Sequence, residues 1–252
     1  MDRLRSEQEF HDRQAQLRAS TFAQHPDRLH VDDDTYLDHE TWIRPAMAAL
    51  GDVRDLRVLD LGCGHGMASV ILSRQGARVT ACDLSRGYLG EARQRAFANG
   101  ISLHLLQADG QRLPFRDCCF DRIWGHAILH HLDLRRAACE LYRILRPGGI
   151  AVFCEPWGCN PLLNFVRRRC SSGIERHTPH EEPLRLPHLR RLRQVFPIAQ
   201  VQGFGFFSML RPILPWRGTV ELLDRWDTLL LSRCPAVQRY CRYIMLLMKK
   251  ID

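Results

Sequence analysis

Three glycines, three acids and a pair of histidines carry the spacings that could do chemistry in this chain. Residues 58–66 read Val-Leu-Asp-Leu-Gly-Cys-Gly-His-Gly. Val58, Leu59 and Leu61 form a short apolar run, the pattern of a strand buried on both faces of a parallel sheet. Gly62, Gly64 and Gly66 then make a tight turn, because glycine tolerates positive φ and lets a ligand approach the backbone. A helical pattern follows over 67–75, so strand, turn and helix N-terminus together predict a ligand cradle. A second apolar run, 78–82, ends in Asp83, and an acid at a strand tip suits the two hydroxyls of a ribose. Past a fourth strand come His130 and His131, whose imidazoles titrate near neutrality and could accept a proton from a substrate hydroxyl. Glu155 ends the fifth strand, next to the fourth, so a histidine–carboxylate pair is a candidate base with its orienter. Histidines that only pack or hydrogen-bond are the other reading of the same residues.

The glycine spacing separates two kinds of cradle. A dinucleotide fingerprint needs G-x-G-x-x-G against a pyrophosphate. This chain has G-x-G-x-G with Asp60 inside the strand end. With Asp60 and Asp83 at these spacings it resembles the class I S-adenosylmethionine (SAM)-dependent methyltransferases, in particular small-molecule methyltransferases with an hhD-hGCG-x-G motif. The resemblance implies SAM as cofactor. It also implies cofactor contacts at Asp60, Gly62, Cys63, Gly64, Gly66, Asp83, Leu84, Asp109, Gly110 and His126. In that family an acid at the Asp109 position accepts a hydrogen bond from the adenine amino group, in keeping with an acceptor-only carboxylate. Methylases of nucleobase amino groups usually carry Asp/Asn-Pro-Pro-aromatic after strand four. Here Leu-His-His-Leu stands at 129–132, as in many small-molecule members.

These residues need a scaffold that gathers strand ends. Strand patterns fall at 56–61, 78–82, 102–107, 120–125 and 150–154, and helical patterns at 65–75, 86–98, 134–145 and 185–196. Such alternation predicts an α/β fold, a Rossmann-like sheet with helices on both faces and ligands at the carboxyl ends of its strands. Residues 198–207 and 242–248 complete seven strands as an antiparallel hairpin, and a reversed last strand is a hallmark of the resembled fold. Residues 1–34 read as an N-terminal lead or cap, in which Phe10, Leu17 and Phe22 could dock on the main domain. The methyltransferase domain is then 35–252. A helix is expected over 35–50, with Tyr36 either a cofactor contact or a packing residue.

Two inserts depart from a minimal domain. Residues 157–184 read as a substrate-side segment, in which Arg176 or Glu181 could touch the substrate. His177, His180, Glu181 and Glu182 are metal-capable but fit no defined site, so no metal is expected. Residues 210–241 read as an amphipathic helical cap with three uses open: a lid over a lipophilic substrate, a membrane-surface helix, or packing on the core.

Composition narrows the class. The chain has 252 residues, is 45% hydrophobic and carries a net charge of +8. It is long enough for a sizeable core. No stretch approaches the roughly 18 apolar residues of a membrane span, and the charged N-terminus lacks the apolar region of a secretory signal. The ten cysteines include no C-x-x-C and read as reduced, mostly buried hydrophobes. A cytoplasmic protein is expected. Residues 157–252 carry 16 basic and 7 acidic side chains. That excess could attract RNA or anionic lipid, but arginine preference is chain-wide and a solvated surface is favoured over nucleic acid. The reading is an enzyme that moves the SAM methyl to an apolar small molecule, by O-, C- or N-methylation of a specialised metabolite or a quinone- or lipid-like precursor. A SAM-binding scaffold without turnover and an RNA methyltransferase are the alternatives.

Overall fold

The computed structural model of the protein describes residues 3–170, 182–210 and 217–251. The apolar runs become strands β1 (Arg57–Leu61), β2 (Arg78–Asp83), β3 (His104–Gln107), β4 (Phe120–His126) and β5 (Leu145–Pro156), followed by β6 (Ile198–Phe204) and β7 (Tyr243–Lys249). They form one seven-stranded sheet in the order β3-β2-β1-β4-β5-β7-β6. The first five run parallel, and β7 lies antiparallel to both β5 and β6. Strand order therefore reverses between β1 and β4, so the carboxyl ends of β1, β2, β3 and β4 open onto one crevice.

Helices cover both faces. They are α1 (Arg3–Gln24), α2 (Asp33–Leu37), α3 (Ile43–Ala49), α4 (Met67–Arg74), α5 (Arg86–Ala98), α6 (Leu134–Ile144), α7 (Pro161–Cys170), α8 (Leu186–Val195) and α9 (Arg217–Arg233). Alternation along each strand divides the core. On one face Val58, Trp124 and Val152 pack with Ile43 of α3 and Ile71 of α4. On the other, Leu59, Leu61, Ile123 and Phe153 pack with Leu141 of α6 and Leu192 of α8. Phe153 is fully buried, which contributes about 1.5–3 kcal/mol for a side chain of this type.

The structure redraws two boundaries. The helix expected over 35–50 is broken into α2 and α3. Pro45 lacks an N–H and its ring clashes with the carbonyl four residues back, so a helix can hold it only in its first turn. Helix α3 accordingly restarts at Ile43. Strand β5 begins at Leu145 rather than at residue 150, because Leu145 already pairs with Phe120 before the register shifts to Arg122↔Ile150. Gly148 at φ +72° accommodates the irregularity.

The N-terminal helix α1 is docked by polar contacts. Asp12 Oδ1 accepts from Ser85 Oγ at 2.5 Å and from Gly87 N at 2.8 Å, at the start of α5, where a carboxylate also meets the helix dipole. Tyr88 Oη donates to Gln14 at 2.5 Å, and Arg18 pairs with the buried Glu91 at 3.0 Å. Of the residues expected to dock, Phe22 lies under the Arg95 guanidinium at 5.5 Å. Leu17 instead stays 72% exposed.

Candidate active site

The cradle is built at the ends of β1 and β2. Gly62 N and Cys63 N both donate to Cys82 O, at 2.8 and 3.0 Å, which folds the glycine turn back onto β2. Three glycines there have positive φ for different reasons. A Cβ on Gly62 would meet Ile128 at 2.7 Å and one on Gly66 would meet Ala92 at 2.8 Å, whereas one on Gly64 would stand in open space. That space is a cavity of about 350 Å³, which Gly64 lines. Asp83 joins the turn to α5, its Oδ2 accepting from Gly64 N at 2.9 Å and its Oδ1 from Ser85 N at 2.8 Å. A carboxylate offers about four acceptor sites, so these bonds leave acceptor capacity for ligand hydroxyls. Burial raises the pKa of Asp83 despite its backbone donors.

The cavity gathers most of the residues singled out in the sequence. Gly62, Gly64, Asp83, Leu84, Asp109, Gly110, His126, His130 and His131 all line it. Asp109 is held at the end of β3 by Gln111 N, which donates to its Oδ1 at 3.0 Å. Burial lowers the pKa of His126 and, with help from the Arg95 and Arg18 charges, pushes His65 down to about 4. Both imidazoles are therefore neutral at pH 7.

Four expected site residues stand behind the wall rather than in it. Asp60 shares the strand face of Val58, turned towards α4, where it accepts from Ser69 Oγ at 2.5 Å. Burial drives its pKa up to about 7, opposed by the Ser69 bond and helped by the Asp83 charge. Cys63 is buried, and Gly66 packs against Ala92. Glu155 is fully buried behind His130. Tyr36 is also buried, packed with Trp42 and Val58 on the α4 side of the sheet. The metal-capable His177, His180 and Glu181, together with Arg176, lie outside the described residues, and Glu182 is exposed.

Glu155 organises the end of β4. Its Oε1 accepts from Ile128 N at 2.9 Å and Leu129 N at 2.7 Å, and its Oε2 lies 2.7 Å from His130 Nδ1. Burial would raise the pKa of this carboxyl, but the His130 bond and charge and the two backbone donors outweigh it and hold it below its ordinary value. An ionised carboxylate only accepts, so His130 Nδ1 carries the proton, which fixes the tautomer. A neutral His130 then presents Nε2 as an acceptor. His130 also lines a groove of about 720 Å³ between α6 and α8, with Leu132, Leu134, Leu184, Arg136 and Arg191 among its walls.

The other side of the cavity comes from residues the motifs did not flag. Arg3, Leu4, Glu7 and His11 of α1 roof it, and Tyr88 of α5 closes the flank. Glu7 and His11 sit one helical turn apart, so their i,i+4 spacing was a readable sign of a shared face. No apolar period marked that face.

Similarity to known proteins agrees with this geometry. Residues 59–153 match the family described as "Methyltransferase domain". The chain is 43% identical over 108 residues to the malonyl-[acyl-carrier protein] O-methyltransferase of Enterobacter lignolyticus, a match covering 42% of this chain and 41% of that protein. It is 35% identical over 130 residues to the demethylmenaquinone methyltransferase of Clavibacter sepedonicus, covering 51% and 52%. The chain thus spans about half the length, or less, of these two curated relatives. The solved S-adenosylmethionine-dependent methyltransferase of Mesorhizobium loti superposes with a TM-score of 0.60 at 21% identity, over 85% of this chain and all of that one. Residues 59–153 match a methyltransferase domain, and the sheet carrying them has the fold of the solved SAM-dependent methyltransferase. The residues present fit SAM: Gly64 opens onto the cavity, Asp83 keeps acceptor capacity for ribose hydroxyls, and Asp109 puts a second carboxylate acceptor on the wall of the same cavity.

Proposed function

We propose that the protein transfers the methyl group of SAM to an apolar small molecule, with His130 as general base and Glu155 as its orienter. SAM supplies an electrophilic methyl on a sulfonium that is already a good leaving group. The protein's task is then to align the acceptor in a dry site and, for a hydroxyl acceptor, to take its proton. The observation that carries this reading is the position of His130, which lines both the cofactor cavity and the α6–α8 groove. An acceptor entering by the groove would meet the imidazole at the cavity wall. The leucines of that groove favour an apolar body, and its arginines would tolerate an anionic group. The named relatives, one acting on a malonylated carrier protein and one on a quinone precursor, support an acyl- or quinone-like acceptor.

The exposed face of α9 supports contact with a membrane surface, where such an acceptor would reside. Leu222, Trp226 and Leu229 are each about half exposed there. No helix among the described residues is long and apolar enough to cross a membrane.

The test is methyl transfer from isotopically labelled SAM into a fractionated host extract, with Asp83→Ala as background. Label in the organic-soluble fraction supports the reading and delivers the product for identification. Label in RNA or on protein side chains, or none with cofactor binding confirmed, overturns it, whereas protein label released by thioester cleavage counts as an acyl-like acceptor. Once the product is known, His130→Ala should lower kcat by about 100-fold or more if the histidine is a general base. Unchanged turnover in His130→Ala and in Glu155→Gln would remove the dyad from the mechanism.

A further inference from the structure

We propose that Glu7 and His11 of α1, together with His131 after β4, form a binding site for one divalent transition-metal ion in the roof of the cofactor cavity. Glu7 and His11 stand at i and i+4 on one helix face, the spacing at which two side chains on a helix can share a ligand. His131 reaches the same point from the other wall. Glu7 Oε2 lies 3.0 Å from His131 Nδ1 and 3.7 Å from His11 Nε2. One ligand atom from each of the three residues lies within 4.8 Å of the others. Around a tetrahedral ion with bonds of 2.0–2.2 Å, neighbouring ligand atoms are about 3.4 Å apart. The two measured separations bracket that value.

Burial and donor chemistry select the occupant. Glu7 is only 4% exposed, so its carboxylate is turned away from water and towards the two imidazoles. Two imidazole nitrogens and one carboxylate oxygen are borderline donors that suit zinc, cobalt, nickel or iron(II). Magnesium and calcium prefer all-oxygen shells. Three protein ligands would leave one coordination position open, and all three residues border the cavity. The ion would also tie α1 to the end of β4, adding a bond to the Asp12, Gln14 and Arg18 contacts that seat the helix on α5. This site is independent of the methyl acceptor, and its test does not use turnover.

The experiment uses the full chain, without an affinity tag and stripped with a chelator. Titration with Co²⁺ is followed by the visible d–d absorption of the bound ion, and Zn²⁺ is then measured by displacement. One equivalent of Co²⁺ should bind the wild-type protein. Glu7→Gln and His11→Ala should each weaken binding by about 100-fold, while the exposed His30→Ala keeps it. Circular dichroism reports whether each variant is folded, and His11→Ala decides the matter if Glu7→Gln is not. Zn²⁺ should also slow tryptic cleavage within α1 of the wild-type protein and leave the rate for His11→Ala unchanged. Absence of saturable Co²⁺ binding to the wild type, or binding unaltered in the folded variants, overturns the site.

Discussion

At the scale of single residues, two positions give opposite expectations. Gly64 has φ +51° and faces open cavity. Gly64→Val is strained in the backbone and fills the cofactor's space, so it should cut affinity for S-adenosylhomocysteine by about 100-fold or more, roughly 2.7 kcal/mol. Titration calorimetry measures this, and near-native affinity would remove the cradle from the glycine turn. Asp60 should show its cost in stability. Its pKa is raised to about 7 in the folded chain, against about 3.9 when unfolded. Between those values the native state holds a proton that the unfolded chain has lost, so the Asp60 contribution to stability falls as pH rises from about 4 through 7. Asp60→Asn cannot ionise and should be more stable than wild type at pH 8 by about 2–4 kcal/mol, with the difference vanishing towards pH 4. Denaturant unfolding at the two ends of that range checks the sign. A difference that stays constant with pH would mean Asp60 ionises freely in the folded protein.

At the scale of elements, the sheet and the cradle were legible and the roof was not. Strands β1, β2 and β4 announce themselves because each carries a short apolar segment that stops at Gly62, Asp83 or His126, where the chain must turn polar at the crevice. The identity of the wall residues followed from those stops. Helix α1 gave no such signal, since Asp12, Gln14 and Arg18 dock it rather than an apolar stripe, and Leu17 is left in solvent. Pattern reading weighs apolar period, so it pointed to Phe10, Leu17 and Phe22 and passed over Glu7 and His11. The break between α2 and α3 was written in Pro45, whose effect depends on where a first turn can begin. The polar docking has a measurable consequence. Asp12→Ala removes the acceptor for Ser85 Oγ and Gly87 N, a loss of about 1–2 kcal/mol for a capping carboxylate. Trypsin should then cut within α1 several-fold faster, while the melting of the sheet domain changes little. An unaltered digestion rate would mean that α1 is held by other contacts.

At the scale of the whole molecule, charge and apolar surface fall on the same region. The last 96 residues carry the chain's basic excess, 16 basic against 7 acidic side chains. Within them α9 is held in one orientation from beneath. Leu223 is buried, and Asp227 accepts from Phe206 N, Phe207 N, Ser208 N and Ser208 Oγ at 2.6–3.1 Å. A neighbouring face, about 110° around the helix, presents Leu222, Trp226 and Leu229 at i, i+4 and i+7, each about half exposed, beside the exposed Arg225 and Arg233. An apolar stripe flanked by arginines has the design of a helix that lies in an anionic lipid interface, where burial of the stripe and attraction of the charges act together. Half-exposed side chains have about half their transfer energy left to gain, close to 1 kcal/mol each. Replacing Leu222, Trp226 and Leu229 with Gln should therefore reduce binding to phosphatidylserine-containing vesicles by about 100-fold in a sedimentation assay. Raising salt should weaken the wild type by screening its arginines. RNA binding would share the salt dependence but not the loss on substitution, because phosphate contacts do not draw on the apolar stripe. Equal sedimentation of wild type and triple variant would assign the stripe to something other than a membrane surface and leave the arginines to explain any binding that remains.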